Sequence, residues 1–419
     1  MGCVSVNPIR SRPVRVLSHR SGMLALMSVG ETVDTEPRKR GPRVARFGVV
    51  LVAVIALLFG VPWATLVWSG NDWPLPVFVA GTLLFAAVAG VFPWLMFRGH
   101  GGHRDRESRI ADTLLGVAWV LFVWSIIGQL LGLLLLAAGV DGPLRSRVVS
   151  AFVVILSTVL LAWGHHEAMR VSRVRRVDVT IPRLGKGLDG LTVALITDTH
   201  YGPINRAAWS RGVTEVVNSL DADIVAHTGD IADGLVDQRL EMAAPLGEIR
   251  ARFARVYVTG NHEYHSGAQG WVEHMEHLGW ETLHNRHVLV TRGGDSLIVA
   301  GVDDRTAGGS GLPGHRTDHE AALSGTDPDL PVLLLAHQPQ QITDAVKHGI
   351  DLQLSGHTHG GQMWPFHYLV LTDQPSLQGL SRHSDRTQLY TSRGTGFWGP
   401  PFRIFAPSEI TLLTLRATA

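Results

Sequence analysis

The feature that most restricts the fold is a set of four apolar runs without any Asp, Glu, Lys or Arg, at about residues 47–69, 75–97, 113–139 and 148–164. Each is near or just short of the ~20 residues that take a helix across a bilayer. Four crossings are the natural reading, with the short fourth run open to a re-entrant or interfacial alternative. The composition agrees, because 45% hydrophobic residues and a mean hydropathy of +0.15 over 419 residues are high for a wholly soluble chain. Basic residues crowd before the first run (Arg38, Lys39, Arg40, Arg43, Arg46), between the second and third (Arg98, Arg104, Arg106, Arg109) and after the fourth (Arg170, Arg173, Arg175, Arg176), whereas "SGNDWP" has none. By the positive-inside rule both termini and the C-terminal domain are expected on the cytoplasmic side, an orientation that losing one span would reverse.

No charge lies mid-span, so a proton relay or ion pathway lacks parts and a transporter is disfavoured. Gln129 is expected to make a helix–helix hydrogen bond, and Trp63, Trp68, Trp73 and Trp94 to anchor at interfaces. Residues 1–46 read as a disordered basic tail. The net charge of +1 gives no reason to invoke nucleic acid, and nothing points to a protein partner. The single cysteine, Cys3, excludes a disulfide framework within the chain and cysteine-based chemistry at a site. The expected organisation is a tail over 1–46, a four-helix membrane region over 47–166, a linker with a first edge strand over 167–186, and a catalytic domain over 187–419.

After residue 177 short apolar runs alternate with helical stretches: "LTVALIT", "DIVAHTG", "RVYVTG", "SLIVAGV", "PVLLLAH", "DLQLSG", "LYTS" and "ITLLTL". This is the pattern of an α/β domain, with function in the loops past the strand ends. Five of those ends carry ligand-type residues. They are Asp198 and His200 in "TDTH", Asp230 and Asp233 in "GDIAD", Asn261 and His262 in "GNHE", His337 in "LAHQ", and His357 and His359 in "SGHTHGG". Two histidines one residue apart converge in neither strand nor helix; a glycine-lined loop can turn both rings inward. Each feature alone has an ordinary explanation as cap, turn or core residue, but their recurrence points to a metal site. Carboxylate, carboxamide and imidazole without thiolate suit Mn, Fe or Zn, and the supply suffices for two divalent or trivalent ions.

The ordered blocks D-x-H, G-D, G-N-H-[DE], H and G-H-x-H resemble the calcineurin-like metallophosphoesterases over about residues 187–415. The resemblance implies a four-layer α-β-β-α sandwich and a phosphate-ester substrate. It also implies that Asp198, His200 and His359 hold one metal, that Asn261, His337 and His357 hold the other, and that Asp230 bridges them. His262 would then donate a proton and Asp233 would orient it. Gly234 stands where the family's protein phosphatases carry a phosphate-clamping Arg, which argues against a phosphoprotein substrate. "SGHTHGGQ", Tyr201-Gly202 and "SRGTGFWGPPFRIFAPSEI" instead resemble the membrane-anchored branch, which includes transmembrane proteins with a metallophosphoesterase domain and is similar to UDP-diacylglucosamine pyrophosphatases.

The implied reaction is hydrolysis of a phosphomonoester, phosphodiester or pyrophosphate. A lipid-linked substrate leads and soluble nucleotides or sugar phosphates are the rival. The non-enzyme alternative is a catalytically silent membrane sensor or scaffold. Arg393 in "TSRGTG" is a candidate phosphate contact. Asp303 and Asp304 read as turn residues, "GGSGLPG" as a flexible loop, and His274 with His277 as a solvated helix face.

Overall fold

The structure is a computed structural model describing residues 41–68 and 72–418; Cys3, most of the expected tail and half of "SGNDWP" lie outside them. The chain divides between Leu51 and Val52. Before that point only the opening turns of α1 (Gly41–Trp63) are described, and the packing concerns residues 52–418. That helix starts ahead of the apolar run, since Pro42 suits a first helical turn and neither Gly nor Pro lies between it and Phe47.

With α2 (Leu75–Met96), α3 (Asp105–Ala137) and α4 (Gly142–Met169), the described residues contain four helices long and apolar enough to cross a membrane. The fourth has 28 residues and is not a short re-entrant piece. Its first turns carry Arg145 and Arg147, which cut the apolar run without cutting the helix. Outward-facing apolar side chains such as Leu134 and Ile155 remain 69% and 64% exposed. A continuous surface of this kind is stable in hydrocarbon and not in water. Gln129 donates to Thr65 Oγ1 at 2.8 Å, the expected interhelical bond.

Beyond Met169 the described residues form twelve strands: β1 (Arg173–Thr180), β2 (Thr192–Ile196), β3 (Ile224–His227), β4 (Ala254–Tyr257), β5 (Glu281–Thr282), β6 (Arg286–Arg292), β7 (Asp295–Gly301), β8 (Val332–Leu335), β9 (Leu352–Ser355), β10 (Gly379–Arg382), β11 (Gln388–Thr391) and β12 (Glu409–Arg416). The helices of this domain are α5 (Ala207–Ser219), α6 (Val236–Ala243), α7 (Asn261–His265), α8 (Ala268–His277), α9 (His319–Ala322), α10 (Ile342–Lys347) and α11 (Phe366–Val370). The strands form two six-stranded sheets, ordered β1-β12-β2-β3-β4-β5 and β10-β11-β9-β8-β7-β6.

Side chains two apart on a strand share a face, and that rule builds the layers. Val193 and Leu195 turn inward to meet Leu333, Leu335, Leu352 and Leu354 of the other sheet. Ala194 and Ile196 turn outward under Trp209 and Val213 of α5 and Trp271 of α8. On the far side Ile298 and Leu334 pack under Ile342 and Ala345 of α10. The result is the expected α-β-β-α sandwich.

The sandwich is docked directly on the apolar helices. Arg239 forks onto Asp105 with two bonds of 2.7 Å, and Ile404 packs between Val120 and Leu160. A Cβ at Gly116 would fall on the Phe402 ring, and one at Gly164 would fall on Ile404.

Candidate metal centre

Parallel strands point their carboxyl ends the same way, so β2, β3 and β4 of one sheet and β8 and β9 of the other present their following loops together. Those loops carry all seven residues expected as ligands. Five of them, Asp198 (φ 53°), His200 (42°), Asp230 (53°), His357 (70°) and His359 (51°), have left-handed backbone, which L residues with a Cβ rarely adopt. Such strain persists only where surroundings over-determine it. Here the loops brace one another: Asp198 N donates to Gly229 O at 3.0 Å, and His357 N to Asp198 Oδ1 at 2.9 Å. Gly360 (φ 57°) and Gly361 (φ 75°) continue the left-handed turn after His359.

Two groups of ligand atoms result. Asp198, His200 and His359 form one, and Asp230, His337 and His357 the other. Asp230 Oδ2 stands between them, 3.5 Å from His200 Nε2 and 3.1 Å from His337 Nε2. Asn261 joins the second group, its Oδ1 3.1 Å from His337 Nε2.

The donor set itself calls for cations. His337 Nδ1 donates to Thr228 O at 2.8 Å, which turns Nε2 toward the oxygens of Asp230 and Asn261. Two oxygens converging on one buried nitrogen need a positive charge among them. Burial alone would depress His337, but Asp230 and Asp198 outweigh it and raise its pKa to about 10, another mark of a site built to hold positive charge. Burial pushes His357 down to about 3, leaving a neutral imidazole able to ligate.

His262 and Asp233 meet as expected, with Nδ1 donating to Oδ1 at 2.6 Å. The same oxygen also accepts from His200 Nδ1 at 3.2 Å, a bond the sequence did not suggest. Burial opposes charge on His262, yet the Asp230 and Asp233 carboxylates prevail and raise its pKa to about 10.

Arg393, the candidate phosphate contact, stands beside Gly360 of the ligand loop, with its guanidinium held on Glu409 Oε2 by two contacts of 2.7 Å. Asp303 and Asp304 lie in a loop and are buried; the first accepts from His284 and Asn285, the second from Gln338. His277 is exposed as a solvated face requires, whereas His274 is half-buried with its ring 5.7 Å from that of Trp271.

Other contributors escaped sequence reasoning. Glu263 is fully buried and accepts from the backbone N–H of Gly260 (2.6 Å), Ile231 (2.7 Å) and Asp230 (2.9 Å), so one carboxylate fixes both the "GD" and "GN" loops. The "GNHE" run, with Glu three residues into a helix start, was its visible signal. Glu263→Gln would leave a buried backbone donor unmet, and residues that orient ligands typically contribute about 10–100-fold in metal affinity. Metal titration of that variant is expected to show a loss of this size; wild-type affinity would remove Glu263 from the site. Arg403, also fully buried, donates to His359 O at 2.7 Å; flanked by apolar residues in "PFRIF", it gave no signal.

Comparison with known proteins agrees with this geometry. The family model described as calcineurin-like phosphoesterase matches residues 191–361. The transmembrane protein with metallophosphoesterase domain of Danio rerio is 35% identical over 324 residues, 74% of each chain, and that of Bos taurus is 34% identical over 328, again 74% of each. An uncharacterized metallophosphoesterase of Campylobacter jejuni is 30% identical over 340 residues, 80% of this chain and 87% of that one. With five motif blocks folded into one pocket and identity of this extent, the chain belongs to the calcineurin-like phosphoesterases, metal-dependent hydrolases of phosphoric esters.

Proposed function

We propose that the chain is a membrane-anchored hydrolase with a dinuclear metal centre, cleaving a phosphodiester, phosphomonoester or pyrophosphate. Asp198, His200 and His359 hold one ion, Asn261, His337 and His357 the other, and Asp230 is shared between them. Mn, Fe and Zn all suit these donors. When bound, the two cations would offset the charge of the phosphate ester and lower the pKa of a water, so that a nucleophile exists near neutral pH.

The side chains do the rest. A water gives up a proton as its oxygen adds at phosphorus, the bond from phosphorus to the leaving oxygen breaks, His262 passes its proton to that oxygen, and the proton shed by the water restores His262. Asp233 holds the ring through Nδ1 and stabilises its positive charge. The observation that carries this reading is the position of Asp230 between the two ligand groups, with His262 Nε2 4.0 Å away. A silent sensor would need the ligands but not the His262–Asp233 pair.

A lipid-linked substrate is the reading we favour over soluble nucleotides or sugar phosphates. Its support is a cavity of about 630 Å³ that begins at Asp230, His262 and His357 and is walled by apolar side chains. The basic residues flanking the spans support a cytoplasmic catalytic domain in a multi-pass protein. The test is hydrolysis of bis-p-nitrophenyl phosphate by the purified full chain. Activity lost to a chelator and restored by Mn²⁺, with about two ions bound per chain, is expected; a metal-loaded but inert protein would favour the sensor.

A further inference from the structure

The cavity beside the metal ligands has an unusual far wall. Leu115 and Trp119 come from α3, one of the four apolar helices, and Phe366, Leu369 and Val370 come from α11. The two sides meet edge to face, Trp119 against Phe366 at 5.8 Å between ring centroids. Trp124 lies 6.1 Å from Trp364, and Trp163 lies 5.5 Å from Phe405.

These contacts fix a depth. The last charge on α3 is Asp112, with an uncharged stretch from there to Ala137. At 1.5 Å per residue, Leu115, Trp119 and Trp124 lie about 4, 10 and 18 Å further along the helix. The rim of the cavity is therefore level with the uncharged part of a membrane helix. It also ends in large apolar side chains that nothing among the described residues covers: Leu369 is 53% exposed and Trp398 51%. Exposed apolar side chains at the depth of the acyl chains call for an apolar partner.

We infer that the substrate is a bilayer amphiphile that enters sideways between α3 and α11, its apolar chain lying along Leu115, Trp119, Leu369 and Val370 and its phosphoryl group at the metal ligands. The inference rests on the phosphoesterase reading and adds where the chain lies and which way it comes. The occupant is a membrane lipid for two reasons. The wall is shared with a membrane helix, so the opening faces hydrocarbon. The polar end holds cation ligands, so the head must be anionic. A volume of about 630 Å³ lies in the 300–1,000 Å³ range of pockets that enclose a small ligand.

The test uses the full chain in lipid nanodiscs with Mn²⁺ and three p-nitrophenyl phosphodiesters whose second alcohol is methyl, butyl or octyl. kcat/KM is expected to rise about tenfold or more from methyl to octyl, since burial of about two methylenes accounts for such a factor. Leu369→Gln and Val370→Gln place amides at the rim and in the wall, and Leu369 is too exposed for its change to disturb folding. Both variants are expected to flatten the dependence on chain length. Equal rates across the series, or a slope that survives both substitutions, overturns the chain site while leaving the phosphoesterase reading intact. No Mn²⁺-dependent hydrolysis of any ester, the methyl one included, overturns both. Independently, a hexadecyl phosphate bearing a terminal diazirine is expected to label peptides containing Leu115–Trp119 and Phe366–Val370. Labelling confined to outward positions such as Leu134 and Ile155 refutes the groove.

Discussion

Asp230→Asn is expected to abolish metal-dependent turnover and to lower bound metal from about two ions per chain to about one. The substitution keeps the shape of the side chain and removes its charge. Its Oδ2 lies within 3.5 Å of His200 Nε2 and 3.1 Å of His337 Nε2, so a neutral amide deprives both ligand groups of their shared anion. His262 N also donates to Asp230 Oδ1 at 2.9 Å, and an amide that turns its NH2 toward this donor would disturb the acid as well. Metal content by elemental analysis and rate on a chromogenic diester decide the matter together; two ions and normal turnover would show that Asp230 does not bridge.

His262→Ala should behave differently, with both metals retained and the rate lowered. Loss of a general acid typically costs about 10²–10⁴ in rate. The size should depend on the leaving group, because an alkoxide needs the proton and nitrophenolate scarcely does. Comparing an alkyl ester with a nitrophenyl ester separates this role from binding: equal losses on both would make His262 a positioning residue. Asp233→Asn offers a check in the same assay, since Asp233 holds both His262 and His200.

Apart from the edge strand expected within 167–186, the strands read most readily from the sequence are those buried on both faces. "LTVALIT" and "PVLLLAH" are continuous apolar runs because a core lies to either side, and their shortness, not their periodicity, marks them as strands. The edges were harder to read. β6, "RHVLVTR", is the outer partner of β7, half-exposed and joined to it through Gly293-Gly294, so its apolar content is diluted. β5 is two residues long and has no pattern at all. The chemistry of the ligands was legible because charged and imidazole side chains at strand ends stand out against apolar strands. Arg393 shows the limit. Its partner Glu409 opens β12, an inner strand of the neighbouring sheet, and no local pattern announces a pairing made across the fold. Leu115 and Trp119 show another. An apolar residue in an apolar helix looks the same whether it faces lipid or walls a catalytic cavity.

The missing side chains at Gly116 and Gly164 let Phe402 and Ile404 sit against α3 and α4 at backbone distance. Contact that close leaves no slack for a tethered head swinging above its stalk; α3 is itself one wall of the enzyme's cavity. Severing the chain after Met169 to obtain a convenient aqueous fragment would strip Phe402, Ile404 and Phe366 of their cover. What came off the column would be a catalyst with one side of its pocket left behind in the pellet.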